Sequence, residues 1–251
     1  HAAMLSRAAK KGKAADAPAS IHDLAKTAPR GVRDALHYDW YLRRSFLDHF
    51  LGPGATLDSF RRCEYPEQGG FVDRPYEIAG VERGEGRVAA TLKRCGAFHA
   101  PAGRRQIEVA KTYALDGNGL LSVAYRVANP GGDPLDLWMG IEFNLTLLSG
   151  KSPARLIAFD GAAPATVPAG SKGHAQGVSR FELVNREDGF AVCVSWDATA
   201  GFWYFPVETV SQSEKGIDLN YQGSSLMPHF RFDLPPGGAK KLLFRVAIRP
   251  L

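Results

Sequence analysis

The sequence predicts an all-β fold, a large antiparallel β-sandwich, and three observations carry that prediction. Beyond residue 55, short segments of alternating apolar and polar residues recur, each too short for an ordinary helix. Gly-, Pro- and Asn-rich turn signals separate them at frequent intervals. The chain of 251 residues, 45% hydrophobic and 23% charged, is long enough to hold such a sandwich as one domain with a normal core.

Taken in order, residues 1–36 read as a helical lead-in and linker, and residues 37–251 as the sandwich domain. Ala2 to Ala14 is alanine-rich, with Lys10, Lys11 and Lys13 where a helix C-terminus favours positive charge. Ser20 is placed to cap a second short helix, stopped by Pro29 and Gly31. Tyr38 to Leu51 (YDWYLRRSFLDHFL) follows, the densest stretch of the chain in aromatic and charged side chains. Leu42, Phe46 and Phe50, joined by Leu47 and Leu51, recur at helical spacing and predict a short amphipathic helix. On such a helix His49 sits at the margin of the apolar stripe, while Arg44 and Asp48 lie four residues apart and pair.

Strands come next. Phe71-Val72, Tyr76 to Ile78 and Arg87 to Lys93 are short candidates, the last with Val88, Ala90 and Leu92 inward. Ile107, Val109, Tyr113 and Leu115 line one face of Gln106 to Leu115, interrupted only by Lys111. Asp116-Gly117-Asn118-Gly119 is a strong hairpin signal, and Leu121, Val123, Tyr125 and Val127 continue the pattern. Leu135 to Leu148 is the longest candidate: Leu135, Leu137, Met139, Ile141, Phe143, Leu145 and Leu147 fill one face. The other carries Asp136, Trp138, Gly140, Glu142, Asn144 and Thr146, which suits a concave sheet facing a ligand or partner. Residues 150–177 read as loops around a weak strand, Arg155 to Phe159. Phe181 to Val184 and Phe190 to Trp196 form a hairpin, and Gly201 to Val210, Ile217 to Tyr221, Ser225 to Leu234 and Lys241 to Ile248 complete the sheet.

Cys63, Cys95 and Cys193 have no ligand-like spacing, so the expectation is a reducing, cytoplasmic compartment with no disulfide, metal or cofactor. No secretory leader and no apolar run of roughly 20 residues is present, so no membrane is expected. The basic residues crowded before Asp39 lack interleaved aromatics for base stacking, which argues against nucleic acid. Nucleophile elbows, phosphate loops and zinc-protease motifs are missing.

Acid–base chemistry has Asp48, His49, Glu142, Asp160, Asp218 and His229 to draw on. His49 and Glu142 would be the pair for an aldose epimerase that moves a proton at the anomeric centre. The preferred reading is plainer: His49 is a hydrogen-bonded residue at a helix edge and Glu142 a solvated sheet residue. Glu142 and Asn144 on alternate positions suit sugar hydroxyls, and Trp138 and Trp203 suit stacking on sugar rings, although Trp in a sandwich is commonly core.

Tyr38-Asp39, Arg43, Arg44-Ser45 and Asp48-His49-Phe50 together resemble a segment of the C-terminal β-sandwich domain of glycoside hydrolase family 57, the α-amylase and 4-α-glucanotransferase group. Glu64, Phe71-Val72, Pro75-Tyr76 and the strand of Glu142 and Asn144 are similar to the same domain. The resemblance implies a galactose-mutarotase-like supersandwich that follows a catalytic (β/α)7 barrel, whose own carboxylates cleave and transfer α-1,4-glucans with retention. Nothing here matches the barrel, so no catalytic residue is carried over. The expected partners are an upstream barrel and an α-glucan or maltooligosaccharide, with Trp138, Glu142, Asn144, His49 and Trp203 as candidate contacts. Asp48, Arg43 and Arg44 are expected to be structural. A free-standing epimerase and a purely structural module that docks through Trp138 are the competing readings.

Overall fold

A computed structural model of the chain describes residues 35–213 and 216–251, so the helices expected in the lead-in lie outside the described residues. The described elements are β1 (Leu47–Phe50), α1 (Leu57–Arg61), β2 (Glu77–Gly84), β3 (Arg87–Ala100), β4 (Gly103–Asp116), β5 (Leu121–Ala128), β6 (Leu135–Leu145), β7 (Arg155–Phe159), β8 (Ala165–Pro168), β9 (Gly173–Asn185), β10 (Phe190–Ser213), β11 (Gly216–Leu234) and β12 (Ala239–Pro250). Their hydrogen-bonded order is β1-β6-β11-β10-β12-β5-β4-β3-β2, with β9 on β10 and β7 and β8 beyond it, all antiparallel.

This sheet is folded over on itself by β10. Its first part, Phe190 to Trp196, pairs with β12, and from Gly201 onward it pairs with β11 instead. The register on β9 shifts between Ser195 and Ala200, where the strand turns from one layer into the other. The core fills the space between the layers. From β6, Leu137, Met139, Ile141 and Phe143 point inward at near-zero exposure, and Ile107, Val109, Val123, Tyr125 and Phe244 oppose them. Phe143 and Phe244 meet at a ring separation of 5.8 Å across the interface. This is the period-two face read from the sequence, and it makes the fold an antiparallel sandwich.

Two expectations are corrected. Tyr38 to Leu51 is not a helix: it runs irregularly to Ser45 and then enters β1, paired with the edge of β6. Leu42, Phe46 and Phe50 fit a helical stripe, yet Phe46 and Phe50 turn to the same core without forming a helix. Phe46 has a φ of 62°, incompatible with a right-handed helix. Pairing with the open edge of β6 outweighs local propensity here. Second, Val88 and Leu115 are exposed and Ala89 is buried, because the outer ends of β2, β3 and β4 reach past the cover of the opposite layer.

The second face of β6 is covered. Tyr41, Leu51, Phe60 of α1, Tyr65 and Val72 pack over Trp203, Phe205 and Met227, forming a smaller core on that face. Thr56 starts α1 with a reciprocal capping box to Ser59, closing the helix's first turn without help from neighbours.

Candidate functional site

Strand alternation sends Asp48 and His49 to opposite faces of β1, and each ends in its own buried ion pair. His49 lies opposite Gly140, on the side of the smaller core. Its Nε2 is 2.9 Å from Glu142 Oε2, and its Nδ1 is 2.8 Å from the Tyr65 hydroxyl and 3.4 Å from Glu67 Oε2. Glu142 is saturated: Tyr41 Oη donates to Oε2 at 2.9 Å, Arg43 Nη1 to Oε1 at 2.8 Å and Ser225 Oγ to Oε1 at 2.7 Å. Arg43 is itself gripped by Asp39 through two bonds of 2.7 and 2.8 Å, in the fork geometry that suits guanidinium and carboxylate.

Burial works against charge on both His49 and Glu142, but their mutual bond wins. It holds the imidazole up to about 9, with help from Glu67, and the carboxyl down to about 2, with help from Arg43 and Ser225. At neutral pH the pair is therefore imidazolium and carboxylate. Both side chains are 0% exposed, so neither presents an atom to a substrate.

Asp48 points between the layers. Lys111 Nζ reaches its Oδ2 at 2.6 Å, donates to the Phe46 carbonyl at 2.9 Å and lies 4.3 Å from the centre of the Tyr76 ring. The Tyr76 hydroxyl also donates to Asp48. Burial first, then the Asp48 charge, pushes the Tyr76, Tyr113 and Tyr125 hydroxyls upward, so they stay protonated. Lys111, the single break in an otherwise apolar strand face, was the signal for this pair. Asp48 thus pairs with Lys111 across the sandwich and not with the exposed Arg44, whose carbonyl is instead held by Asn144 Nδ2 at 2.9 Å.

A third polar group lies further along the same face of β6. Trp138 Nε1 donates to His229 Nδ1 at 3.0 Å, and the Arg231 guanidinium lies 3.9 Å over the Trp138 ring. Trp203 packs edge-on against Trp138 and at 4.9 Å on His229. His229 presses flat on Gly201, where a Cβ would come within 2.1 Å of its ring, so only glycine fits. Burial, followed by the charges of Arg231 and His174, pushes His229 down to about 4. The ring is neutral, and because Nδ1 accepts from Trp138 its proton rests on Nε2.

With this geometry described, similarity can be weighed. The family model for the C-terminal part of α-amylase/4-α-glucanotransferase matches residues 1–242. The chain belongs to this family. The 4-α-glucanotransferase of Thermococcus litoralis is 33% identical over 234 residues, covering 93% of this chain and 30% of that protein. An α-amylase of Pyrococcus abyssi is 32% identical over 207 residues, covering 82% of this chain and 27% of that protein. The crystal structure of the Thermococcus litoralis enzyme superimposes with a TM-score of 0.66 at 30% identity, over 89% of this chain and 30% of that one. The chain thus spans under a third of the length of these relatives.

Against that family background, the structure brings His49 and Glu142 together but seals them. Trp203 is buried, Asn144 gives its side-chain amide to the Arg44 carbonyl, and Trp138 is half-buried under Arg231. Sequence reasoning did not find Tyr41 and Ser225 on Glu142, Tyr65 and Glu67 on His49, or Tyr76 beside Asp48. These residues lie far apart in sequence with no shared spacing. Among the described residues, no helix is long and apolar enough to cross a membrane.

Proposed function

We propose that this chain acts as a cytoplasmic accessory domain of an α-1,4-glucan-acting enzyme, supporting an upstream catalytic (β/α)7 barrel and adding weak α-glucan binding. The observation behind this reading is the family match over residues 1–242 in a chain that covers only 30% of the glucanotransferase it resembles. The chemistry agrees. The tightest histidine–carboxylate pair among the described residues, His49–Glu142, is closed to solvent and its carboxylate accepts from four donors. That disfavours an epimerase working through these two residues, since a general base must reach the proton it moves. Glucan contact is assigned to the open rim of Trp138, the least buried of the candidate aromatics.

Incubation of the purified chain with maltotriose tests the proposal: no longer or shorter products are expected. Affinity electrophoresis through soluble starch should show weak retardation, reduced by Trp138→Ala. Disproportionation or hydrolysis by the chain alone would overturn the accessory reading. Polarimetric mutarotation of glucose lost in His49→Ala would restore the epimerase.

A further inference from the structure

Where β10 turns between layers, it leaves a second opening. Its ladder with β11 ends at Gly201↔His229, so Phe230 to Leu234 have β6 on one side and no strand on the other among the described residues. A cleft of about 340 Å³ occupies that gap, with His229, Arg231, Gly201, Thr199, Gln176 and Lys240 among its lining. Its side chains are donors or neutral groups, and no carboxylate lines it. Arg231 makes its contact with the Trp138 ring, and neither it nor Lys240 forms an ion pair among the described residues. At the floor, His229 is 9% exposed and its Nε2 has no hydrogen-bond partner.

Two lining cations outside any ion pair among the described residues, a buried imidazole donor without an acceptor and the absence of acid describe a site that is short of negative oxygen. Buried donors are ordinarily satisfied, so an orphan at the base of a cleft points to a missing ligand atom. Guanidinium and ammonium groups bind oxyanions by charge-assisted hydrogen bonds, stronger than those between neutral groups. We propose that this cleft binds a small oxyanion, a phosphate or carboxylate group, held by Arg231 and Lys240 over the Nε2–H of His229. The proposal does not rest on the glucan reading, because a neutral sugar would find no acceptor side chain here for its hydroxyl protons other than Gln176 and Thr199.

The test is calorimetric titration of the full chain with inorganic phosphate at low ionic strength, with acetate and maltotriose in parallel. Saturable binding of phosphate or acetate is expected. It should weaken at least ~10-fold in Arg231→Gln and Lys240→Gln, as the loss of a charge-assisted contact predicts. Both substitutions fall at side chains that reach solvent, and circular dichroism verifies that the variants fold. As a second readout, phosphate should move the His229 ring resonances in NMR and raise the pH at which they titrate. No saturable binding of either anion, or affinity unchanged in both variants, would overturn the proposal. Maltotriose binding that depends on Arg231 while the anions fail would overturn it in favour of a neutral sugar. Failure of maltotriose alone touches only the glucan reading.

Discussion

Replacing Glu142 by Gln keeps the shape of the most buried carboxylate and removes its charge, and the outcome can be worked from its four donors. Arg43 cannot accept a hydrogen bond, so the Gln oxygen must face Arg43 and Ser225, and its NH₂ must face Tyr41 and His49. Tyr41 can accept. His49 can accept at Nε2 only as the neutral imidazole. The variant therefore forfeits Glu142's share, beside that of Glu67, of the stabilisation recorded in the upward displacement of His49, from 6.5 to about 9. Because that group is raised on folding, its contribution is complete below about pH 6.5 and disappears as pH rises through about 9. A displacement of this size is worth ~3 kcal/mol at about 1.4 kcal/mol per pH unit. Glu142→Gln should thus lower unfolding free energy by up to ~3 kcal/mol more near pH 6 than near pH 9.5, on top of a pH-independent loss from the broken Arg43 pair. Urea denaturation followed by tryptophan fluorescence at several pH values measures both. A loss below ~1 kcal/mol at pH 6, or one of constant size across the range, would refute the assignment of an imidazolium–carboxylate pair.

Lys111→Met leaves the Asp48 carboxylate buried without its cation, and should cost ~3–5 kcal/mol, with much of the loss recovered in the double variant with Asp48→Asn; urea unfolding of the four proteins completes the cycle. Thr56→Ala removes the capping box of α1 and should cost ~0.5–2 kcal/mol by the same assay. His229 has the opposite sign to His49: its folded state favours the neutral ring, so stability falls as pH drops from about 6.5 towards 4, by up to ~3 kcal/mol. Thermal melts between pH 7 and 4 should show that fall in the parent chain and a flatter curve in His229→Gln. An equal slope in both would assign the acid sensitivity elsewhere.

Strand after strand was readable because one physical rule, alternation with a buried side, applied without competition. Leu135 to Phe143 alternate in the structure as they do in the sequence, and Asp116 to Gly119 turn the chain between β4 and β5. The stretch from Tyr38 to Leu51 was misread because two periods fit its apolar residues, and only the vacant edge of β6 decides between them. Its chemistry was half legible. Asp48 and His49 stand out as titratable residues in an apolar run, but helical spacing gives Asp48 the wrong partner, Arg44. A strand separates neighbours to opposite faces, so they serve two sites. The remaining members of those sites, from Tyr41 to Ser225, come together only when the sheet closes. Lys111 was visible as an exception within an apolar face, and its partner was not.

The bend in β10 bears on how the molecule comes apart. A single strand of 24 residues belongs to both layers, bonded to β12 in one and β11 in the other, with β9 alongside it through both. Neither layer can open without tearing hydrogen bonds from the strand that the other also uses. Amide protons in the two layers should therefore exchange through the same global event, with closely similar protection at Val194 and Phe202. The sheet has many strands but a single unit of cooperativity.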